Sequence, residues 1–231
     1  YVIKNEIIRD YPDSKYSKIL LSPDKAVIGY DSSKSYDYAL SLYDSEDFIK
    51  VIDECNKSIS MFSDEPIISK FELLKAVSVA RVYGFKEYEK ALTFIKLNYS
   101  STIEGKEAER ILDDVLPTVK NDRFLKNDLS DNYKIVYQFD TVSKSDINSQ
   151  ITNLKKYIDK VDYLDLTVSK DFYNNIVTFV VVHGLKSYDG SLGLAERLEN
   201  SIDIQAKSFF VISTDNYKTI QIHKNLDKFE K

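Results

Sequence analysis

The apolar residues change their spacing once along this chain, near residue 118, and that change constrains the fold more than any other feature. Before it, they recur every three or four residues, the period of one helix face. After it, short β-branched and aromatic runs alternate with further helical stretches. Phe48, Ile52, Cys55, Ile59 and Phe62 fall on one helical face, and Tyr88, Leu92, Ile95 and Tyr99 do the same. Between them, Phe71 to Tyr83 is apolar on most sides, the pattern of a helix sandwiched between neighbours. Gly84 is placed to end that helix, because glycine takes a positive φ without a steric penalty.

The helices recur. Tyr11-Pro12-Asp13-Ser14, Phe62-Ser63-Asp64-Glu65 and Tyr99-Ser100-Ser101-Thr102 each put an aromatic residue at a helix end and polar capping residues at the next start. The second and third are 37 residues apart, the first and second 51. The shorter spacing is close to the period of about 34 of tetratricopeptide helix pairs. The excess in the longer one falls around Leu21–Ser35, read as a loop insertion. Ala39, Leu42, Phe48, Ile52 and Cys55 form one series of small and large residues, and Ala80, Tyr88, Ala91, Leu92 and Ile95 the next. Small residues let paired helices approach and large ones fill the gaps. The repeat consensus is degraded, so an irregular helical bundle is the alternative. Leu116-Pro117 is expected to end the last helix, because proline lacks the N–H that would continue it.

The charged stretch 119–132 reads as a linker between an array at 1–118 and a second domain at 133–231. In that domain Tyr133–Phe139, Leu164–Phe172, Ile176–Leu185 and Phe209–Ser213 read as strands. Ile147, Ile151, Leu154 and Ile158 form a helical stripe, preceded by Ser143 and Asp146 at capping-box spacing. Leu192, Ala195 and Leu198 mark a second helix. Asn174-Asn175 is a turn signal. A terminal helix follows Thr214-Asp215-Asn216, with a strand over Thr219–His223 as the alternative. The order β-α-β-β-α-β is the split ferredoxin-like arrangement, with two helices on one sheet face and the other face left for solvent or a partner.

Little here points to chemistry. Histidines occur only as His183 and His223, and neither stands in a two-histidine ligand spacing. His183 ends an apolar strand beside Gly184 and reads as a strand-end hydrogen-bonder; His223 reads as solvated. Gly184, Gly190 and Gly193 dot the stretch before a helix but lack the lysine and timing of a phosphate loop. Cys55 is the one cysteine, on a core face, and reads as inert packing. Asp113 and Asp114 are adjacent on a helix and point apart. No catalytic, cofactor-binding or metal-ligating residue is therefore assigned, and no cofactor is expected. A net charge of −5 and a third strand without the basic start of an RNA-recognition sheet argue against nucleic acid. The opening at Tyr1-Val2-Ile3-Lys4 falls mid-pattern, so the chain reads as part of something longer, with any export signal upstream.

The two halves together resemble a family. FFVISTDNYKTIQIHKNLDKF, following a strand-helix-strand-strand-helix region and a degenerate helical array with YPDSKYSKIL, is similar to the carboxy-terminal region of the SprE/PorW-type lipoproteins. These belong to the type IX secretion and gliding-motility machinery of Bacteroidota. The residues that carry the resemblance are Asp215-Asn216-Tyr217, Lys224-Asn225-Leu226-Asp227, the start Pro12, Ser14 and Tyr16, and the stretch from Lys70 to Ala76. The family's second helix after the third strand is alanine-rich, whereas here it starts Asp189-Gly190-Ser191. The resemblance implies a periplasmic location, a lipid anchor at the outer membrane on the upstream part, and contacts with other secretion components.

These readings lead to a non-enzymatic protein-binding scaffold. Stacked helix pairs present a concave face from the first helix of each pair, with Tyr36, Tyr43, Lys75 and Arg81 as candidates on it. The alternative is peptidoglycan binding, because the carboxy-terminal order also resembles sporulation-related repeat domains. Tyr137, Thr178 and His183 would then be exposed on the sheet.

Overall fold

A computed structural model describes residues 2–21, 31–126, 130–141, 144–161 and 166–229. The chain divides into two compact units, Tyr1–Thr118 and Val119–Lys231. The first is helical and the second combines helices with a four-stranded antiparallel sheet.

The first unit holds α1 (Val2–Asp10), α2 (Lys15–Leu21), α3 (Ser32–Asp44), α4 (Phe48–Met61), α5 (Ile68–Tyr83), α6 (Phe85–Asn98) and α7 (Ile103–Arg110). A π turn, Ile111–Val115, and the short α8, Leu116–Val119, continue α7. Most of the supposed insertion between Leu21 and Ser35 lies outside the described residues. The three aromatic-led turns share one geometry. The N–H groups of Ser14, Glu65 and Thr102 donate to the carbonyls of Tyr11, Phe62 and Tyr99 at 3.1, 2.8 and 2.9 Å. Ser14 and Thr102 then cap the next helix, accepting from the N–H groups of Ser17 and Gly105.

The core of this unit gathers Ala39, Val51, Cys55, Phe62, Phe71 and Leu74, drawn from α3, α4, α5 and the turn between them. The Phe71 ring takes Tyr36 edge-on at 5.3 Å and stacks on Phe62 at 6.4 Å. Between Phe71 and Ala80 no residue of α5 is exposed, as its all-round apolar pattern requires. Gly84 ends α5 at φ 82 and opens α6 in the same residue. Helical backbone runs through Leu116-Pro117, contrary to expectation. The preceding π turn widens the helix, with Leu116 N–H reaching back to Ile111, and so makes room where the proline ring would clash.

The second unit runs β1 (Tyr133–Asp140), α9 (Lys144–Val161), β2 (Thr167–Phe172), β3 (Val177–Leu185), α10 (Tyr188–Ser201), β4 (Ser208–Ser213), α11 (Thr214–His223) and α12 (Leu226–Phe229). The strand order is β2-β3-β1-β4, every pair antiparallel. Asn174 makes the β2–β3 turn by accepting from the N–H groups of Ile176 and Val177. The expected cap at Ser143 and the start of the expected second strand lie outside the described residues. Ser213 caps α11, so Thr214-Asp215-Asn216 form its first turn rather than its cap, and Thr219–His223 is helical.

Alternation along the strands builds two cores. Tyr133, Ile135, Tyr137, Phe139, Val180 and Val182 face α9 and α10, against Ile147, Leu154, Ile158, Leu194, Ala195 and Leu198. Val136, Phe179, Val181 and Ile212 face the opposite way. They are covered by Tyr217, Ile220 and Leu226 of the terminal helices, with Phe124 and Phe229 alongside. The sheet is thus closed on both faces, where one open face was expected. The start of the supposed linker takes part in that closure. Asn216 holds the Leu125 backbone, His223 contacts the Val119 carbonyl at 2.9 Å, and Lys228 pairs with Asp122 at 2.9 Å.

Candidate functional site

In the first unit the first helices of successive pairs touch, α3 on α5 and α5 on α7. Side-chain bonds join their starts: Ser32 donates to Glu65 at 2.5 Å, and Ser69 to Glu104 at 2.9 Å. One partly exposed stripe of α5 is Lys70, Leu73, Val77 and Arg81, spaced three and four apart on one face. Leu73 and Val77 are half-buried, and Lys70 and Arg81 are exposed at the two ends. The stripe is apolar in the middle and cationic at both ends.

Three of the four residues expected on such a face are engaged in packing. Tyr36 lies against Phe71, and Tyr43 meets Phe48 edge-on at 5.2 Å. Lys75 pairs at 2.6 Å with Glu72, which is itself buried. Arg81 is exposed but lays its guanidinium over the Phe48 ring at 5.0 Å. Lys70, Leu73 and Val77 were missed. The sandwiched pattern of α5 hid them, because half-burial of one stripe depends on neighbours that periodicity does not place.

The second unit contains a polar chain beneath α11. Lys134 of β1 lies 2.8 Å from Nδ1 of His183, and Ser169 of β2 lies 2.7 Å from its Nε2. Ser169 donates to Asp171 at 2.7 Å, and Tyr217 of α11 donates to the other Asp171 oxygen at 2.6 Å. Gln221 donates to the Tyr217 hydroxyl at 3.1 Å. The proton count orders the chain. The Ser169 proton is committed to the carboxylate, so His183 carries its proton on Nε2 and presents a bare Nδ1 to the Lys134 ammonium. Burial and the Lys134 charge hold His183 below its ordinary value, against a smaller upward pull from Asp171. Burial likewise pulls Lys134 down, against an upward pull from Asp171 and with a smaller downward push from Lys218.

Serine, histidine and aspartate meet here, but not in the order of nucleophilic catalysis. A general base must offer a bare nitrogen to the hydroxyl, with the carboxylate on its other nitrogen. In this chain the carboxylate sits on the serine and the bare nitrogen faces a cation. The arrangement fastens helix to sheet.

The chain matches no family model and no curated protein. Its own geometry therefore carries the functional reading. Among the described residues no group of histidine, cysteine, aspartate and glutamate is placed to hold a metal ion, and no helix is long and apolar enough to cross a membrane.

The remaining sequence candidates also find structural places. Tyr137 is fully buried under α10, and Thr178 is 5% exposed, so neither is displayed on the sheet. His183 is half-buried in the chain just described, and His223 is half-buried against Val119 rather than solvated. Gly184 sits at φ 93 where the β1–β3 register slips, a bulge rather than a phosphate loop. Gly190 donates its N–H to Ser187, the cap of α10. Cys55 is buried, its thiol pushed up to about 12 by that burial. Asp113 pairs with Lys96 at 3.1 Å.

Proposed function

We propose that the chain is a non-enzymatic, protein-binding scaffold: a tetratricopeptide-like array of helical hairpins followed by a ferredoxin-like βαββαβ domain. The observation that carries this reading is the α5 stripe of Lys70, Leu73, Val77 and Arg81, apolar in the middle and cationic at both ends. In stacked hairpins the first helices line a concave face, and such faces hold segments of other proteins. The contacts of α3 on α5 and α5 on α7, and the repeated turns after Tyr11, Phe62 and Tyr99, favour the array over an irregular bundle. The ferredoxin-like assignment rests on element order and on the strand order β2-β3-β1-β4.

The resemblance supplies the setting: the periplasmic side of the outer membrane, among type IX secretion and gliding components, with the anchor on an upstream part. The partner that suits the stripe is a segment with an apolar anchor and acidic flanks, seated on Leu73 and Val77 between the two cations. The glycan alternative relied on an open sheet face, and α11 lies on that face.

The test is affinity purification of the tagged chain from its native cell, beside a Val77→Glu variant whose helical circular dichroism matches wild type. A discrete partner recovered with wild type and lost with the variant is expected. Identical recoveries from both would remove the α5 stripe. Retention on denuded peptidoglycan with no protein partner would favour the glycan reading.

A further inference from the structure

The polar chain under α11 contains a histidine whose contacts admit only its neutral form. We propose that His183 is a proton-operated latch: a proton added at Nδ1 expels the Lys134 ammonium and loosens α11 from the sheet face it covers.

In the closed form Nδ1 accepts from Lys134 at 2.8 Å, while Nε2–H points to Ser169. Protonation at Nδ1 turns that nitrogen into a donor, so two N–H groups and two positive charges face each other across the same gap. Ser169 cannot relieve the conflict, because its proton is already committed to Asp171. Lys134 has to move, and it then leaves its place 5.7 Å over the Tyr217 ring.

The surrounding charges favour opening. From β1 comes Lys134, from β2 the Asp171 carboxylate, and from α11 Lys218, which adds a further positive charge near Lys134. Tyr217 and Gln221 of α11 supply neutral dipoles. Once His183 is charged, it and Lys134 share the Asp171 carboxylate, while Lys218 on the helix is paired with Asp215 at 3.3 Å. Loosening uncovers Val136, Phe179, Val181 and Ile212, the apolar face that α11 hides. The direction with pH follows from the depressed value of His183. Between that value and about 6.5 the open form binds more protons than the closed form, so acidification favours opening.

The experiment uses the full chain. Imidazole nitrogen resonances read the His183 tautomer, and amide hydrogen exchange reads Tyr217–Gln221 against Leu74–Ala80 of α5 as an internal reference. At pH 7.5 a protonated Nε2 and a bare Nδ1 are expected. Between pH 7.5 and 5.0, after correction for intrinsic exchange, α11 should lose protection relative to α5. His183→Gln should abolish that relative loss. If it does not fold, Lys134→Met keeps the apolar stem, removes the opposing charge and should hold α11 closed at pH 5.0. Protection of α11 that follows α5 at both pH values in wild type overturns the latch. So does a relative loss that persists undiminished in the folded variants.

Discussion

The side-chain amide of Asn216 grips the Leu125 backbone at both ends, accepting from its N–H at 2.8 Å and donating to its carbonyl at 2.9 Å. Its neighbours act in the same closure. Asp215 stands in the first turn of α11, where the helix dipole favours an anion, and Tyr217 reaches Asp171 across the sheet. The Asp215-Asn216-Tyr217 motif thus has a structural task, sealing the second face of the sheet.

Replacing Asn216 by alanine removes both bonds and leaves two backbone groups of Leu125 unmatched. The expected loss is about 1–3 kcal/mol. Asn216→Asp keeps an acceptor for the N–H but turns an oxygen toward the carbonyl, so it should recover little. Urea unfolding, read by hydrogen exchange in residues 119–229, checks both. Unfolding midpoints equal to wild type would mean the clasp contributes nothing.

Two glycines should respond to alanine with opposite signs. A Cβ at Gly105 would press into the Tyr99 carbonyl at the turn before α7, a backbone contact that cannot yield. The expected loss is about 1–3 kcal/mol. At Gly193, within α10, a Cβ meets nothing within 4 Å, and alanine should add about 0.5–1 kcal/mol through its helix preference. Thermal unfolding of both variants decides; a shift in the same direction for both contradicts the packing described.

Phe71 is fully buried between Tyr36 and Phe62 and draws α3, α4 and α5 together. Phe71→Ala should cost about 3–5 kcal/mol. The loss should appear as lost exchange protection in α3–α5 while β1 and β3 keep theirs. Protection in α3–α5 equal to wild type would place the core elsewhere.

Cys55 should be silent to a thiol reagent in the folded protein. Burial pushes its thiol up to about 12, so almost no thiolate exists at pH 8, and the sulfur is enclosed as well. Labelling with a disulfide reagent should follow global opening and rise steeply with urea. Fast labelling in buffer would contradict the enclosed position.

Much of the fold was legible because it follows from period. The stripe Ile147, Ile151, Leu154 and Ile158 packs as one helix face, and the run from Ile176 to Leu185 holds β3. Closure of the sheet was not legible. It depends on Phe124, one aromatic residue in a charged stretch, meeting Phe229 at 5.3 Å from the far end of the chain. Pro117 misled because the rule against helix-interior proline assumes a regular ladder, and a π turn had already opened it. The polar chain left a faint mark. Thr167, Ser169 and Asp171 occupy alternate positions on β2, a polar face on a strand whose register partner for Thr167 is His183. Such a stripe beside an apolar strand is a signal for buried hydrogen bonding.

If the α5 stripe holds segments of other proteins, position-resolved photo-crosslinking in the native cell will capture one there. A photoreactive residue is placed at Val77 on the stripe and, as a control, at Lys90 on the exposed side of α6. One discrete protein adduct is expected from Val77 and none from Lys90. Equal adducts from both positions, or none from Val77 while Lys90 captures a partner, would contradict it.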